Sequence, residues 1–203
     1  MNKISTLFVR GEDFKVTPEV MPGCEWVCEW VLGGEGVATE KLDGSNVMVV
    51  FHQDGSYTIH KRKNPNKEEK KVDIQPINIP VDPENKADRY LIEAVENFIV
   101  NTPDHGLYGV KYGEAIGPKI NTNRYELEER IWVPFTPQYI CQLSCPRTFN
   151  ELKEFLTPER ESFMFPGCPI EGIVFHAWHG SAKIKVQDFH KVKKQYKKRI
   201  PVE

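Results

Sequence analysis

Four short motifs in this chain carry residue types suited to phosphoryl chemistry. The first is Glu40-Lys41-Leu42-Asp43-Gly44-Ser45-Asn46. Tyr112-Gly113-Glu114, Glu171-Gly172-Ile173-Val174-Phe175 and Lys183-Ile184-Lys185 follow in that order. A lysine amine can attack the α-phosphate of a nucleotide and hold the nucleotide covalently. Because a free lysine is protonated at neutral pH, a bound cation or neighbouring positive charges must expose its lone pair. Asp43 and Glu171 are the candidate metal-site carboxylates, ligating the ion directly or holding its waters. Gly44 and Gly172 suit a tight backbone beside phosphates. Lys183 and Lys185 lie two apart on an expected strand and so face one way. Each motif alone is a weak signal, and the ordered set is a strong one.

The elements that position these residues can be read from periodicity. Asn46 to His52 is rich in β-branched residues, Gln53-Asp54-Gly55-Ser56 is a turn, and Tyr57 to Arg62 alternates as a returning strand. An Asp-Gly between two such runs predicts a hairpin, with Lys41 at a strand end or turn just before it. Residues 64–85 are expected to be a polar, proline-broken loop, with Lys67 to Lys71 a solvated face. Tyr90, Leu91, Ala94, Val95, Phe98 and Ile99 recur at helical spacing and predict an amphipathic helix over 86–100. Leu107 to Gly117 reads as a strand, and Thr148-Phe149-Asn150-Glu151 as a capping box opening a helix to about Leu156. Gly172–His176 and Ser181–Val186 form an expected strand pair turning near His179 and Gly180. A basic helix is expected over 187–199. No internal repeat or linker appears, and one domain over residues 1–203 is expected.

Composition narrows the setting. With 203 residues, 39% of them hydrophobic, the chain is long enough for a real core. A formal net charge of −2 means that any nucleic-acid surface must be local rather than global. No apolar run reaches the ~20 residues of a membrane helix and no signal peptide is evident, so a cytoplasmic location is expected. Five cysteines, an odd count, argue against a closed disulfide framework. The pairs Cys24/Cys28 and Cys141/Cys145 are spaced more widely than the usual zinc hairpin, and buried structural thiols are expected. The histidines show no metal spacing. His176, His179 and His190 are expected near the active face in tip or core roles.

Taken in order, the motifs resemble the covalent nucleotidyltransferase superfamily of ATP-dependent ligases and mRNA capping enzymes, over about residues 37–189. Within it the chain looks most like ATP-dependent RNA ligases. Ser45-Asn46 after the glycine and Gly113-Glu114-Ala115-Ile116-Gly117-Pro118 are similar to the RNA-editing-type enzymes. DNA ligases and capping enzymes usually carry an arginine where Asn46 stands. The resemblance implies an α+β nucleotidyltransferase fold of antiparallel sheets flanked by helices, with the nucleotide between the sheets. It implies Lys41 as the nucleophile that takes AMP from ATP, with Mg²⁺ or Mn²⁺. Glu40 would meet the adenine edge through backbone or side chain, Val174 would line the nucleotide site, and Asn46 and Glu114 would reach the ribose side. Lys183 and Lys185 would lie near the phosphates. An aromatic stacks on the adenine in relatives, and Phe135 fits that place, with Trp132 the alternative. Arg62 matches a basic position that contacts phosphate or the RNA 5′ end, although Lys61 and Lys63 stand beside it.

The same resemblance implies RNA with 5′-phosphate and 3′-OH ends as substrate and a role in RNA repair, and it leaves room for a separate end-healing enzyme as partner. The chain stops about 18 residues after Lys185, so an oligonucleotide-binding barrel and a helical RNA-gripping domain are both expected to be missing. RNA contacts would then come from the tail, Lys191 to Arg199, and from the loop between Lys61 and Lys71. The alternatives are a capping-type guanylyltransferase or DNA ligase, an enzyme that adenylates something other than RNA, or a non-catalytic RNA-binding protein.

Overall fold

The strand that ends in Lys41 and the strand that carries Glu114 belong to different sheets, and the chain crosses between them through Leu42, Asp43 and Gly44. The computed structural model describes residues 4–23, 25–72, 74–178 and 180–191, the side chains of residues 25–27 and 70 excepted. The strands are β1 (Ser5–Thr6), β2 (Phe8–Arg10), β3 (Val16–Val20), β4 (Val37–Lys41), β5 (Ser45–Phe51) and β6 (Tyr57–Lys63), then β7 (Ile77–Pro80), β8 (Gly109–Ile116), β9 (Ile131–Pro134), β10 (Gln142–Leu143), β11 (Gly172–Ala177) and β12 (Gly180–Lys185). The helices are α1 (Glu25–Leu32), α2 (Lys67–Lys71), α3 (Lys86–Asn101), α4 (Phe149–Phe155) and α5 (Val186–Phe189).

The first sheet runs β1-β12-β11-β4-β10 and the second β7-β6-β5-β8-β9, with β2 and β3 paired apart. All pairings in the two large sheets are antiparallel except β1 with β12. The expected α+β architecture of antiparallel sheets flanked by helices is therefore present. Each sheet buries one face. Ala38, Ile173, Phe175, Ala182 and Ile184 of the first pack with Cys28 and Val31 of α1 and Leu152 of α4. Val47, Val49, Ile59, Ala115 and Trp132 of the second pack with Leu91, Ala94, Val95 and Phe98 of α3. Full burial of such apolar side chains contributes roughly 1.5–3 kcal/mol each. A third cluster, Leu42, Ile116, Tyr125 and Val133 with Met164 and Phe165 against it, closes the junction of the sheets.

Local chemistry explains the boundaries. Asn85 caps α3 by accepting from the N–H groups of Ala87 and Asp88, satisfying donors that the first helical turn leaves free. Thr148 caps α4 through the N–H of Glu151. The stretch 64–85 departs from the expected loop. Asn66 Oδ1 accepts from Glu68 N and Glu69 N, both at 2.9 Å, and nucleates α2. Residues Ile77–Pro80 form an edge strand on β6, where a terminal proline loses no ladder bond. The elements β1 to β3 and α1 were not anticipated. The basic tail beyond Lys191, His179 and Cys24 lie outside the described residues. Cys28 is buried, and Cys141, Cys145 and Cys168 are half-buried.

Candidate active site

Register decides which side chains meet. On β4, β11 and β12 the pairs Gly172↔Lys41, Gly172↔Lys185, Val174↔Thr39 and Val174↔Lys183 put Thr39, Lys41, Val174, Lys183 and Lys185 on the face away from the helix-packed core. On β5 and β8, Asn46↔Glu114 places both on the corresponding face of the second sheet. Lys41 Nζ donates to Glu171 Oε2 at 2.7 Å and to Leu42 O at 3.0 Å. Lys185 Nζ donates to Glu171 Oε1. One buried carboxylate thus joins the first motif to the third and fourth.

Three glycines make this convergence possible, and for a reason other than nearness to phosphate. A Cβ on Gly44 would stand 2.2 Å from Ala115 O, and one on Gly172 would stand 2.2 Å from Ile184 O. A Cβ on Gly113 would stand 2.4 Å from Trp132 Nε1. Neighbouring strands occupy the space that side chains would need. Gly44 N–H donates to the Glu114 carboxylate, so the crossing loop ties Lys41 to the second sheet.

Glu114 lies deep in the protein with part of its surface open to the cleft. Burial pushes its carboxyl up to about 7 against the favourable charges of Lys41 and Arg62, with Glu171 adding to the rise. Asp43 behaves oppositely. Burial alone would raise it, but hydrogen bonds from Arg124, Thr122 and Asn121, with the Arg124 charge, hold it below the ordinary carboxylate range. Those bonds are 3.1 Å from Arg124 Nε, 3.0 Å from Thr122 Oγ1 and 3.2 Å from Asn121 Nδ2. Tyr125 OH accepts from Asp43 N at 2.9 Å. These partners sit in the irregular segment after Gly117, where Lys119, Asn121, Asn123 and Glu126 have positive φ. The Asn-Thr-Asn turn signal was the only trace of them in the sequence.

Other expected site residues separate. Glu40 opposes Ile173 in register, so its side chain falls on the core face, opposite Lys41. Its Oε2 accepts from Phe163 N at 2.8 Å and Met164 N at 3.1 Å, and burial pushes its carboxyl up. Only the Glu40 backbone is left to approach the cleft. Trp132 is 1% exposed and packs edge-on against Phe98. Phe135, whose N–H donates to Tyr112 O at 2.7 Å, is 37% exposed and shares the Glu114 face. Of the basic trio on β6, Lys61 turns to α3 and donates to both Asp88 oxygens, at 2.7 and 2.6 Å. Arg62 turns the other way, toward Glu114, and Lys63 is exposed. His176 sits on the cleft face between Thr39 Oγ1 at 3.0 Å and Ser181 Oγ at 3.1 Å. His190 instead caps α5 and bonds Lys153 O.

Two largely antiparallel sheets, one carrying a lysine at the end of β4 and the other a glutamate in electrostatic reach of it, form an α+β fold that is also seen in solved RNA ligase structures. Among the solved structures that the chain resembles are those of Naegleria gruberi RNA ligase. A lysine-to-alanine variant with ATP and Mn shares 15% identity at a TM-score of 0.50, covering 93% of this chain and 62% of that one. The form with PPi gives 16% and 0.50, and a variant with AMP and Mn gives 16% and 0.51, with the same coverage. The chain therefore spans about 62% of the length of these ligases, and at such identity the likeness is one of fold. No family model and no curated protein matches the sequence.

Proposed function

We propose that this chain is the catalytic domain of an ATP-dependent RNA ligase. The observation that carries the reading is the Glu171 carboxylate gripping Lys41 and Lys185 together, with Glu114 of the other sheet in electrostatic reach. Lys41 Nζ attacks the α-phosphate of ATP, the bond to pyrophosphate breaks, and lysyl-AMP forms. Glu171 Oε2 is the hydrogen-bonded acceptor positioned for the amine proton. Lys183 and Lys185 stabilise charge on the phosphates. AMP then passes to an RNA 5′-phosphate, and attack by a 3′-OH joins the strands and releases AMP. Holding all partners at one site converts each step into a near-unimolecular one. Val174 would floor the nucleotide, Phe135 stack on its base, and Asn46 and Glu114 take its ribose, with the Glu40 backbone at the base edge.

The donor set bears on the metal. Both oxygens of Asp43 and both of Glu171 already carry hydrogen bonds. Among the described residues no three His, Cys, Asp or Glu side chains form a ligand cluster. That suits an ion that keeps its water shell, as Mg²⁺ prefers, with Asp43, Glu114 and Glu171 receiving its waters. Mg²⁺ or Mn²⁺ so held would neutralise triphosphate charge. No described helix is long and apolar enough to cross a membrane. A cytoplasmic repair role beside an end-healing enzyme accords with this reading.

The test is incubation with labelled ATP or GTP and a divalent ion, followed by a denaturing gel. An acid-stable label from ATP, absent in Lys41→Ala, is expected. A label from GTP alone would move the reading to a capping enzyme. No label from either nucleotide, in folded protein with Mg²⁺ and with Mn²⁺, would sink the enzymatic reading.

A further inference from the structure

The cleft face of the second sheet continues well beyond the groups used above. One row across it reads Asn78, Arg62, Asn46, Glu114 and Val133. The next, farther from Lys41, reads Pro80, His60, Met48, Tyr112 and Phe135. This surface is polar where the opposite face is core, and its hydrogen bonding is incomplete. His60 Nδ1 and Asn78 Oδ1 are buried without a partner. The Asn78 amide makes only long contacts, 3.5 Å to Met48 Sδ and 3.4 Å to Tyr112 OH. Native proteins rarely leave buried polar atoms unpaired, and such gaps call for a ligand or water.

The chemistry of the missing ligand follows from the group types. Arg62 is half-buried and makes no ion pair with any described carboxylate. It suits one phosphate. Around it stand an amide, an imidazole and a phenol, whose polar atoms suit the hydrogen bonds that a ribose and a base edge make. A triphosphate would need more cations than this row supplies, and those sit across the cleft at Lys183 and Lys185. Met48 is flexible enough to yield, which frees the Asn78 amide to turn.

We propose that Asn78, His60 and Tyr112 form a subsite for the terminal nucleoside of an RNA strand whose phosphate is held by Arg62. The inference rests on the ligase reading and adds where the second substrate lies. It divides the cleft, with the nucleotide phosphates on the first sheet and the strand end on the second.

The experiment uses Asn78→Ala, His60→Ala and the conservative His60→Gln. Lysyl-AMP formation from ATP, sealing of a pre-adenylylated RNA strand, and binding of a labelled RNA oligonucleotide by fluorescence anisotropy are measured, with thermal melting as a folding control. Expected are lysyl-AMP formation within twofold of the parent, a tenfold or greater rise in the KM for RNA, and partial rescue in His60→Gln. Tighter binding of 5′-phosphorylated over 5′-hydroxyl RNA would put the strand's terminal phosphate at Arg62. Equal binding that the variants still weaken would put an internal phosphodiester there. Unchanged sealing and RNA binding in folded variants that form lysyl-AMP overturns the subsite and leaves the ligase reading intact. Absence of lysyl-AMP in the parent, with RNA binding that the variants weaken, overturns the ligase reading and keeps the strand subsite.

Discussion

The two sheets that frame the cleft solve the problem of interior charge in opposite ways. On the first, the ionic groups satisfy one another, because Glu171 is shared by Lys41 and Lys185 at short range. On the second, they do not. Glu114 keeps its proton up to about pH 7 because burial outweighs the nearby cations, and Arg62 has no ion-pair partner among the described carboxylates. A buried ion pair contributes little net stability, but losing one partner is costly. The first wall therefore holds a fixed constellation, and the second holds groups whose state depends on what binds there.

The sharpest way to break the contrast is Lys41→Ala. The covalent label is expected to vanish, a loss of at least ~10³-fold if Lys41 is the nucleophile, while Lys185 still neutralises Glu171 and the protein stays folded. Labelling beside a melting curve checks both halves. Next comes Glu171→Gln, which leaves two lysines without their shared carboxylate. Label formation is expected to fall roughly 10²-fold or more, and a fall below fivefold would show that the clamp is dispensable.

Gly44→Ala tests the joint between the walls. Its methyl group would meet the Ala115 carbonyl, and a loss of roughly 2–3 kcal/mol in chemical denaturation is expected from forced overpacking. The smallest effect concerns Glu114. Its folded carboxyl binds a proton that the unfolded chain releases above about 4.5, so folding becomes less favourable as pH rises from about 4.5 to 7. In metal-free protein the slope is at most about 1.4 kcal/mol per pH unit across that window. Glu114→Gln is expected to flatten that slope, and an unaltered profile would show that the carboxyl is not held neutral.

The same contrast explains what was legible in the sequence. The hairpin of β5 and β6, the α3 stripe and the common facing of Lys183 and Lys185 depend on local periodicity, and all are present. The assignment of Lys41, Asp43, Glu114 and Glu171 to one neighbourhood came from motif order. Face was harder to read. Glu40 and Lys41 are chain neighbours, yet they occupy opposite sides of β4, and only pairing with Ile173 and Gly172 reveals which side is core. The choice among Lys61, Arg62 and Lys63 likewise waited on Asp88. The strands β1 to β3 are short and lack alternation long enough to read, and β1 finds its partner only in the distant β12. The grip of Asn121, Thr122 and Arg124 on Asp43 comes from an irregular loop that no period describes.

Lys41 and its carboxylate partner lie 130 positions apart in the chain. Contacts of such long range are slow to form because loop closure must be met before they reward it. As the protein is synthesised, Lys41 leaves the ribosome long before Glu171 exists. Through most of that interval it is an ordinary side chain at the end of an incomplete sheet. If Lys41 is the nucleophile proposed above, its reactivity is timed by folding, and a fragment truncated before β11 should take no label from ATP.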